Sequence, residues 1–297
     1  MPKRLKREPG WFGHMAEARR HLDAMPEIDG ARGGVWAVGM VRDEADIVET
    51  VVRNLLDQGV HRVVIADNLS TDGTHEILER LARSHPVTVL MDRLPAYYQA
   101  EKMTLLARAA ARGGAEWVIP FDADEVWLAR TGTLAQWLAR CDAAVVQVPM
   151  FNHVPTASDD LTEPDPVRRL RWRNTEANSL HKVAFRPRPR ARLAYGNHGV
   201  SRWGKRTVGL EIRHFPYRSE EQFVRKLRQG ADALSATDLA DKVGVAWRGL
   251  GARDDERLHA AWRKLVDTHN LPIESWVPNC EVVEDPAPLG DLALGPD

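Results

Sequence analysis

Residues 117–127 read WVIPFDADEVW, an apolar run that ends in three carboxylates, Asp122, Asp124 and Glu125. WVIPF (117–121) has the length and the composition of a buried strand. Like charges so close together repel one another unless a cation compensates them. Two carboxylates one residue apart at a strand end can share Mg²⁺ or Mn²⁺, which prefer carboxylate oxygen and accept phosphate oxygens as further ligands. Because aspartate is also a common turn residue and N-cap, the triplet alone is equally consistent with the start of a solvated loop.

The sequence around this strand alternates apolar strands with amphipathic helices. The first predicted helix carries its apolar residues on one face, as Ile47, Val48, Val51 and Val52 show. Such alternation is typical of a parallel sheet with helices on both faces. The predicted strands are 35–41, 62–67, 87–91, 117–121 and 143–150, and the predicted helices of this region are 44–59, 75–82 and 101–114.

Polar side chains follow three of these strands directly. In open parallel sheets the ligand binds beyond the carboxyl ends of the strands. We therefore expect these side chains to meet in one acidic crevice. They are Arg42, Asp43 and Glu44 after the first strand, Asp67 and Asn68 after the second, and Asp122, Asp124 and Glu125 after the fourth.

The composition is that of an ordinary globular protein. The chain has 297 residues, of which 43% are hydrophobic and 28% charged, and its formal net charge is −1. This balance does not indicate a nucleic-acid binder. Two cysteines, Cys141 and Cys280, without a CxxC motif fit a reducing compartment. No apolar stretch reaches the roughly 18–20 residues that a transmembrane helix needs, and the basic N-terminus lacks the apolar core of a signal peptide. We expect a cytoplasmic protein with no transmembrane segment and no nucleic-acid partner.

Several other phosphate-binding and hydrolytic motifs are absent. The sequence contains no GxxxxGK[ST], GxGxxG, HExxH or GxSxG. An EF-hand that began at Asp122 would place Trp127 at its required glycine. These absences leave the acidic strand end as the main candidate site.

Three segments together resemble the family 2 glycosyltransferases of the GT-A fold: VGMVRDEADI (38–47), IADNLSTDGT (65–74) and EKMTLLARAAARGGAEWVIPFDADEVW (101–127). The resemblance is to the soluble bacterial branch with a D-N-x-S-x-D-G-T loop and a D-x-D-E motif. It is strong over roughly residues 35–130 and weaker through HKVAFRP (181–187), GNHGV (196–200) and RHFPYRS (213–219). It implies an α/β fold of the GT-A type, with a mostly parallel Rossmann-like sheet flanked by helices and a C-terminal helical extension.

The pattern and the resemblance divide the chain into four predicted segments. SEEQ (219–222) has the form of a capping box that opens a helix, and further short helices are predicted at 17–25 and near 254–269. The segments are an N-terminal extension (1–33), a GT-A nucleotide-sugar-binding catalytic domain (34–216), a C-terminal helical region (217–275) and a disordered tail (276–297).

The resemblance implies donor-binding roles for the first two strand ends. Val41, Arg42 and Glu44 would line the base of a nucleotide-sugar donor, with a UDP-sugar expected. Asp67 would form a hydrogen bond with the base or the ribose, and Asn68 would bind the donor beside it.

The resemblance also implies a metal–diphosphate site. Lys102, at the start of the third helix, would face the phosphates. Asp122 would contact the ribose and the metal, and Asp124 would bind Mn²⁺ or Mg²⁺ directly. A histidine from later in the chain would complete the coordination, either His214, our first choice, or His198.

Residues 168–206 hold 12 lysines and arginines against a single acid, Glu176. This stretch could neutralise a diphosphate or hold an anionic acceptor, or it could be a solvated face. Trp172 and Trp203 lie within it and are predicted to form a wall on which a sugar stacks, with ordinary packing as the other reading.

Inversion through a single displacement, with one carboxylate as general base, is what the resemblance implies for the reaction. The candidate bases lie in the polar loop after the fifth predicted strand and just beyond it, and we predict Asp160. The candidates are Asp159, Asp160, Glu163, Asp165 and Glu176.

Three other classes of protein stay open at this point. A sugar-1-phosphate nucleotidyltransferase would be expected to carry a glycine-rich loop after the first strand, and VRDEADIVE (41–49) has no glycine. A non-catalytic nucleotide-binding protein of the same fold would share the strand ends. A nucleic-acid binder would use the arginine-rich stretch.

Overall fold

Two sheets flanked by helices form the protein. The computed structural model describes residues 10–26, 33–241, 243–269 and 281–289. Cys280 and the remaining parts of the predicted N-terminal extension and tail lie outside these residues. The strands are β1 (Val35–Val41), β2 (Arg62–Asp67), β3 (Val87–Met91), β4 (Trp117–Phe121), β5 (Glu125–Ala129), β6 (Val145–Val148), β7 (Met150–Val154), β8 (Trp172–Asn174), β9 (Lys182–Phe185), β10 (Arg206–Thr207), β11 (Leu210–His214) and β12 (Val282–Glu284).

Helices cover both faces of the larger sheet, and among the described residues three further helices follow β11 along the chain. They are α1 (Trp11–His21), α2 (Val48–Asp57), α3 (Thr74–Ser84), α4 (Gln99–Arg112), α5 (Leu134–Arg140), α6 (Pro166–Arg169), α7 (Glu220–Ser235), α8 (Val245–Leu250) and α9 (Asp255–Thr268). None of the helices in the described ranges combines the length and the apolar content that crossing a bilayer requires.

The larger sheet has seven strands in the order β10-β6-β9-β4-β1-β2-β3. β1 pairs in parallel with β2 and β4, and β2 pairs in parallel with β3. β9 is antiparallel to both β4 and β6. The smaller sheet has the order β12-β8-β7-β11-β5. The mostly parallel α/β architecture predicted from the sequence is therefore confirmed.

The strands of the larger sheet are apolar throughout because both of their faces are buried. Along β1, Val35 and Ala37 pack into the core on one face, while Trp36 and Val38 pack into the core on the other. α2 and α3 cover the first face and α4 covers the second. This is why the sequence shows continuous apolar runs instead of alternation.

Gly39, in β1, allows the ring of Phe121 to pack directly against the strand. The two residues are partners in the β1–β4 register. A Cβ atom at position 39 would lie 2.8 Å from ring carbons of Phe121, which is closer than such contacts allow. Since Phe121 directly precedes Asp122, the glycine also sets where the acidic strand end lies.

The predicted fifth strand is two strands that belong to different sheets. β6 ends at Val148 and β7 begins at Met150, and β7 lies in the smaller sheet. Pro149 lies between them, and its carbonyl accepts a hydrogen bond from the backbone of Ile212 in β11. A proline has no N–H to donate to a continuous ladder, so the chain changes sheets there. β5, which follows the acidic residues, was not predicted.

Two predicted helices have different starts. α2 begins at Val48 instead of residue 44, and a turn precedes it in which the carbonyl of Glu44 accepts from the N–H groups of Ile47 and Val48. α1 covers Trp11–His21 instead of 17–25 and ends where Leu22 forms a bridge with Asp92. By contrast, the N-cap predicted at Ser219 is confirmed, since its Oγ accepts from the N–H of Gln222 at 3.2 Å.

The C-terminal segment differs from the disordered tail predicted for it. Within residues 281–289, β12 pairs antiparallel with β8. Asp285 follows this strand, and its carboxylate lies 2.7 Å from Arg173 and 2.9 Å from Arg213. Acidic composition in this segment therefore serves local ion pairs instead of solvation alone.

A buried histidine in β7 should make the fold sensitive to acid. His153 has its Nδ1 2.6 Å from the carbonyl of Leu170, and its ring stacks on Phe215 with 4.3 Å between the centroids. Burial lowers the pKa of His153 to about 3. The unfolded chain therefore binds a proton below about pH 6.5 that the folded chain does not bind, and stability falls as the pH falls from there.

We predict that His153→Gln flattens this dependence, because the amide keeps a donor for Leu170 and does not titrate. Between pH 7 and pH 5 the wild type should lose about 2 kcal/mol more of its free energy of unfolding than the variant. Urea titrations at the two pH values measure the difference. Identical pH dependence in both proteins would contradict the assignment.

Candidate active site

Three neighbouring strands bring their carboxyl ends to one edge of the larger sheet. β1 lies between β2 and β4, and all three run in parallel. In the register, Val41 pairs with Asp67, and Gly39 pairs with Phe121. The loops after these strands therefore emerge side by side. This edge carries the acidic residues that the sequence analysis selected.

The loop after β1 is fixed to the loop after β2. Asp43 adopts the left-handed region with φ 53°. Its backbone N–H donates to Ser70 Oγ at 2.9 Å, and its Oδ1 accepts from the N–H of Thr71 at 2.6 Å. The N–H of Glu44 donates to Thr74 Oγ1 at 2.9 Å. Aspartate tolerates this backbone conformation better than most residues do. Asp43 can therefore turn the chain here while its hydrogen bonds hold the two loops together.

Asp67 lies at the base of this edge with 1% of its surface exposed. Its Oδ1 accepts from the N–H of Ser70 at 3.2 Å, and its Oδ2 lies 3.2 Å from Nδ1 of His75. The carboxylate thus shapes the turn after β2. His75 is a neighbour that the sequence analysis did not single out.

Asn68 and Lys102 hold the loop that follows β3 from inside the protein. The amide of Asn68 donates to Asp92 Oδ2 at 2.9 Å and to the carbonyl of Leu94 at 2.8 Å. Nζ of Lys102 lies 2.6 Å from both of these acceptors, and only 1% of the residue is exposed. Burial lowers the pKa of Lys102. The structure therefore corrects the prediction that Lys102 faces the phosphates, because its ammonium is directed into the protein.

Both carboxylate oxygens of Asp122 have partners in the protein. Oδ2 pairs with the ammonium of Lys182. Oδ1 accepts from Asn197 Nδ2 at 3.0 Å and lies 3.4 Å from Gln99 Nε2. The side chain keeps 28% exposure, so it is the most accessible of the three clustered acids that have ion pairs here.

Glu125 anchors the strand end from below. It is fully buried, and its Oε1 lies 2.7 Å from Nζ of Lys182. Its Oε2 accepts from Trp127 Nε1 at 3.1 Å and from the N–H of Asp122 at 3.2 Å. Burial raises the pKa of Glu125 to about 7, although the charge of Lys182 opposes the shift. Burial alone would lower the pKa of Lys182, but the carboxylates of Asp122 and Glu125 raise it above its usual value.

Asp124 lies between a histidine and a lysine. Its Oδ1 is 3.5 Å from Nε2 of His214, and its Oδ2 is 2.6 Å from Nζ of Lys226. Nδ1 of His214 lies 2.9 Å from the side-chain oxygen of Asn152. An amide oxygen only accepts, so Nδ1 carries a proton, and Nε2 is the ring nitrogen that faces Asp124. Burial would raise the pKa of Asp124, yet Lys226 and His214 hold it well below its usual range.

Helix α7 and the segment before it close one side of the acidic edge. Lys226 also lies 3.1 Å from Glu44 Oε1. Arg218 pairs with Glu44 and lies 2.7 Å from Asp46. The carboxylates of Glu44 and Asp46 raise the pKa of Arg218 against the effect of burial. Glu44, predicted to line the base, is therefore held in an ion-pair network with the C-terminal region.

The remaining residues of the predicted first loop differ in exposure. Val41 is buried at the end of β1. The side chain of Arg42 is 35% exposed, and its Nε lies 3.9 Å from Asp43 Oδ2. Arg42 is the member of this loop whose charge can reach a ligand above the sheet edge.

His198, the second choice for a metal ligand, is directed elsewhere. Its Nδ1 lies 3.1 Å from the carbonyl of His181. Burial lowers the pKa of His198 to about 4, with the charge of Lys182 as a further cause. Of the two histidines, His214 is the one with a ring nitrogen 3.5 Å from Asp124.

The other predicted residues have their contacts outside the carboxylate cluster that follows β4. Asp160 is exposed and accepts from the N–H and Oγ1 of Thr162, at 2.9 and 2.6 Å, which lower its pKa. Trp172 is half-buried in β8, paired with Val154 of β7. Trp203 lines a cavity with arginines. The two tryptophans predicted to form a wall lie in different elements, β8 and the segment before β10.

Sequence reasoning missed the cations and amides that complete the site. Lys182 stands in HKVAFRP, a segment quoted for its resemblance, directly before an apolar strand, and that position was an available signal. Lys226 gave no signal, because a lysine in an amphipathic helix usually faces solvent. The missed residues are Gln99, Lys182, Asn197, Arg218 and Lys226.

No three His, Cys, Asp or Glu side chains are arranged as a ready metal site anywhere in the described ranges. Asp124 and His214 form a two-residue pair, and Asp122 is drawn towards Lys182. Ammonium groups therefore neutralise the carboxylates in the state that the structure describes.

Comparison with known families gives the chain its class. The model of glycosyl transferase family 2 matches residues 40–195, just over half of the 297 residues. The chain belongs to glycosyl transferase family 2 and is a glycosyltransferase. A search of curated proteins finds no match.

Solved structures of glycosyltransferases are similar at low identity. TarS of S. aureus in complex with UDP-GlcNAc has 12% identity and a TM-score of 0.38, over 80% of this chain and 74% of that chain. The mannosyltransferase PcManGT from Pyrobaculum calidifontis in complex with GDP-Man and Mn²⁺ has 17% identity and a TM-score of 0.38, over 85% and 82%. Glucosyl-3-phosphoglycerate synthase from Mycobacterium tuberculosis has 20% identity and a TM-score of 0.28, over 48% and 49%. Similarity of this extent carries no argument about donor, metal or acceptor.

The buried charges at the end of β4 should be costly to unbalance. In Lys182→Met, Asp122 and Glu125 would lose their shared cation, and breaking a buried pair in this way typically costs about 3–5 kcal/mol. We predict a loss of this size in the free energy of unfolding from urea titration. The double variant Lys182→Met/Glu125→Gln should recover part of it.

Lys205 provides the matched control for this variant. It pairs with Asp142 at 2.7 Å, but both side chains are more than half exposed. Lys205→Met should therefore cost no more than about 1 kcal/mol. Equal losses for the two lysines would show that the Lys182 pairs are not the buried anchor described above.

Proposed function

We propose that the protein transfers a sugar from a nucleotide-diphosphate-sugar donor to an acceptor nucleophile, with inversion and with dependence on Mn²⁺ or Mg²⁺. The observation that carries the proposal is the position of Asp124. It follows β4 at the edge where β1 and β2 also end, and it lies 3.5 Å from Nε2 of His214. A strand-end carboxylate beside an imidazole nitrogen is a donor set that divalent metals accept.

Asp124 and His214 are the residues that would hold the cation. Their facing atoms are 3.5 Å apart, so a single cation could contact both. The hydrogen bond from His214 to Asn152 fixes the ring in the tautomer that ligation needs. Asp122 would join them only by exchanging Lys182 for the cation. When bound, the cation would supply Lewis-acid stabilisation for the negative charge on a leaving diphosphate.

Protein cations are available for the same charge. The pKa of Lys226 is raised by Asp124 and Glu44 against the effect of burial, so its ammonium persists at neutral pH. Lys182 lies on the other side, against Asp122. Preorganised positive charge of this kind stabilises a developing anion without the cost of reorganising water.

We propose that the first two strand ends bind the nucleoside, with a UDP-sugar as donor. Asp67 and the exposed part of Arg42 are the groups proposed to contact it. Residues 34–216 are proposed as the nucleotide-sugar-binding catalytic domain, and residues 217–275 as a helical region that completes it. The ion pairs of Arg218 and Lys226 with Glu44 and Asp124 support this division of labour. A cytoplasmic location is proposed on the cysteine usage.

In the proposed reaction the anomeric C–O bond to the diphosphate breaks while an acceptor oxygen attacks the opposite face of the sugar. The acceptor proton passes to a carboxylate of the loop between β7 and α6. Asp160 is proposed for this step, because it is exposed on the loop surface where an acceptor can reach it. The other acids of this loop are less accessible, since Asp159 and Glu163 are half-buried and Asp165 is buried.

A screen of nucleoside diphosphates with and without Mn²⁺ tests the proposal. We expect UDP with Mn²⁺ to raise the melting temperature by roughly 5–10 °C at a hundredfold excess over its Kd. Asp124→Asn should remove the increment due to Mn²⁺ and keep a folded circular dichroism spectrum. If no nucleoside diphosphate stabilises the protein with or without Mn²⁺, the proposed function is wrong.

The two histidines can be separated by matched variants. His214→Gln should weaken Mn²⁺-dependent stabilisation by UDP at least roughly tenfold in apparent Kd, because it removes a proposed ligand. His198→Gln should leave this Kd unchanged, since its ring is directed at the carbonyl of His181. Titration of Mn²⁺ at fixed UDP measures both. The reverse order of effects would assign the ligand to His198.

A further inference from the structure

A cavity of about 590 Å³ lies outside the acidic edge and concentrates positive charge. We call it the arginine cavity. It is formed by the residues that precede β6, those that follow β9 and the segment before β10. Its charged lining residues are Asp142, Arg186, Arg188, Arg190, Arg202 and Lys205, and Trp203 stands among them.

The arginine cavity lies at the end of the sheet opposite to the acidic edge. Phe185, the last residue of β9, pairs antiparallel with Val118 near the start of β4. The guanidinium of Arg186 lies 4.7 Å from the ring of Trp117, the first residue of β4. Asp122 follows the other end of that strand. Asp122 is five residues further along the extended chain than Trp117, a span of roughly 16 Å, so these arginines do not reach the proposed donor site.

The positive charge of the cavity is poorly compensated by its own carboxylate. Asp142 is the acid among its lining residues, and it pairs with Lys205 at 2.7 Å. Arg186 and Arg202 each donate to a neutral backbone carbonyl, those of Cys141 and Arg186, at 3.0 Å. The chain as a whole has a net charge of −1. The cavity is therefore a local excess of positive charge in a protein that is close to neutral as a whole.

The guanidinium groups are close enough to disfavour one another. Burial lowers the pKa of Arg202, and the charges of Arg188 and Arg186 lower it further. Arg188 and Arg190 are exposed, on a short segment in which prolines alternate with arginines. Proline limits the conformations of this segment before any ligand arrives. An anion in the cavity would relieve the repulsion at little cost in chain ordering.

The chemistry of the lining suits a phosphate group. Guanidinium presents a planar fork of N–H donors that matches phosphate oxygens in pairs. Trp203 is 62% exposed beside these donors and offers a flat apolar face. A volume of about 590 Å³ lies in the range of small-molecule sites. We propose that the arginine cavity binds a small ligand that carries a phosphate group and a ring, the ring stacking on Trp203, at a site separate from the donor site.

The inference stands on the cavity alone and does not depend on the proposed donor or metal. A phosphate held there lies beyond the Debye length of roughly 8 Å from the acidic edge, so it would not compete directly with a donor. Free phosphorylated molecules and lipid headgroups share this chemistry. The experiment below distinguishes the two sources.

Calorimetric titration of the full chain with inorganic pyrophosphate, in EDTA, is the first test. We expect saturable binding with one dominant site. Arg188→Gln/Arg190→Gln should weaken it by roughly tenfold or more, because each arginine contributes charge-assisted hydrogen bonds. Arg83→Gln/Arg263→Gln is the matched control. It removes the same charge from exposed positions on α3 and α9 and should leave the Kd unchanged.

Vesicles provide the second arm. Sedimentation with phosphatidylcholine vesicles that contain phosphatidic acid, compared with phosphatidylcholine alone, reports a lipid headgroup. Binding to pyrophosphate alone assigns a soluble ligand. Binding to the acidic vesicles that Arg188→Gln/Arg190→Gln weakens assigns a headgroup. Either result supports the phosphate site. The inference is overturned if neither probe binds, or if the cavity variant and the control variant lose affinity equally. It is also overturned if the protein binds single-stranded RNA but neither phosphate probe.

The role of Trp203 is tested by comparing phenyl phosphate with inorganic phosphate. Stacking should make phenyl phosphate the tighter ligand by several-fold, roughly what a base or ring gains on an aromatic side chain. Trp203→Ala should abolish this preference and leave the affinity for inorganic phosphate unchanged. A preference that survives Trp203→Ala would remove the ring from the ligand we propose.

Discussion

The structure depends on compensating several carboxylates that are gathered at the carboxyl end of one buried strand. Asp122 and Glu125 share Lys182, and Asp124 pairs with Lys226. Without these ammonium groups, burial would drive the acids to bind protons or the strand end to open. The lysines come from β9 and α7, far along the chain. The acidic edge therefore ties the later elements to the early ones, and the fold and the site share one constraint.

Under the proposed function this arrangement would make ligand entry partly an exchange. A divalent cation between Asp124 and His214 would compete with Lys226 for the charge of Asp124, and Glu44 would still hold that ammonium at 3.1 Å. The positive charge would stay at the same edge, where a diphosphate would arrive. The lysine would lower the affinity for metal alone, and a negatively charged donor would restore the balance. Metal and donor should thus bind more tightly together than either does by itself.

The parallel strands of the larger sheet could be predicted from the sequence. The strands that pair with β11 in the smaller sheet could not. Apolar runs placed β1 to β4 within their observed bounds, because strands buried on both faces need little else to be recognised. The change of sheet at Pro149 and the strand that begins at Glu125 depend on tertiary pairing with β11, which no local pattern encodes. The acidic residues were visible for the same local reason. Their partners Lys182 and Lys226 were not, since ion pairs across many residues leave no periodic signal.

The pairing of β12 with β8 has a practical consequence for work on this protein. β12 covers the outer edge of the smaller sheet, and Asp285 joins Arg173 to Arg213 across two of its strands. A shortened form that stops before residue 281 would leave β8 with bare amide and carbonyl groups on its outer side. Such edges recruit strands from other molecules. Trimming what looks like a dispensable acidic end would therefore trade a protected rim for self-association.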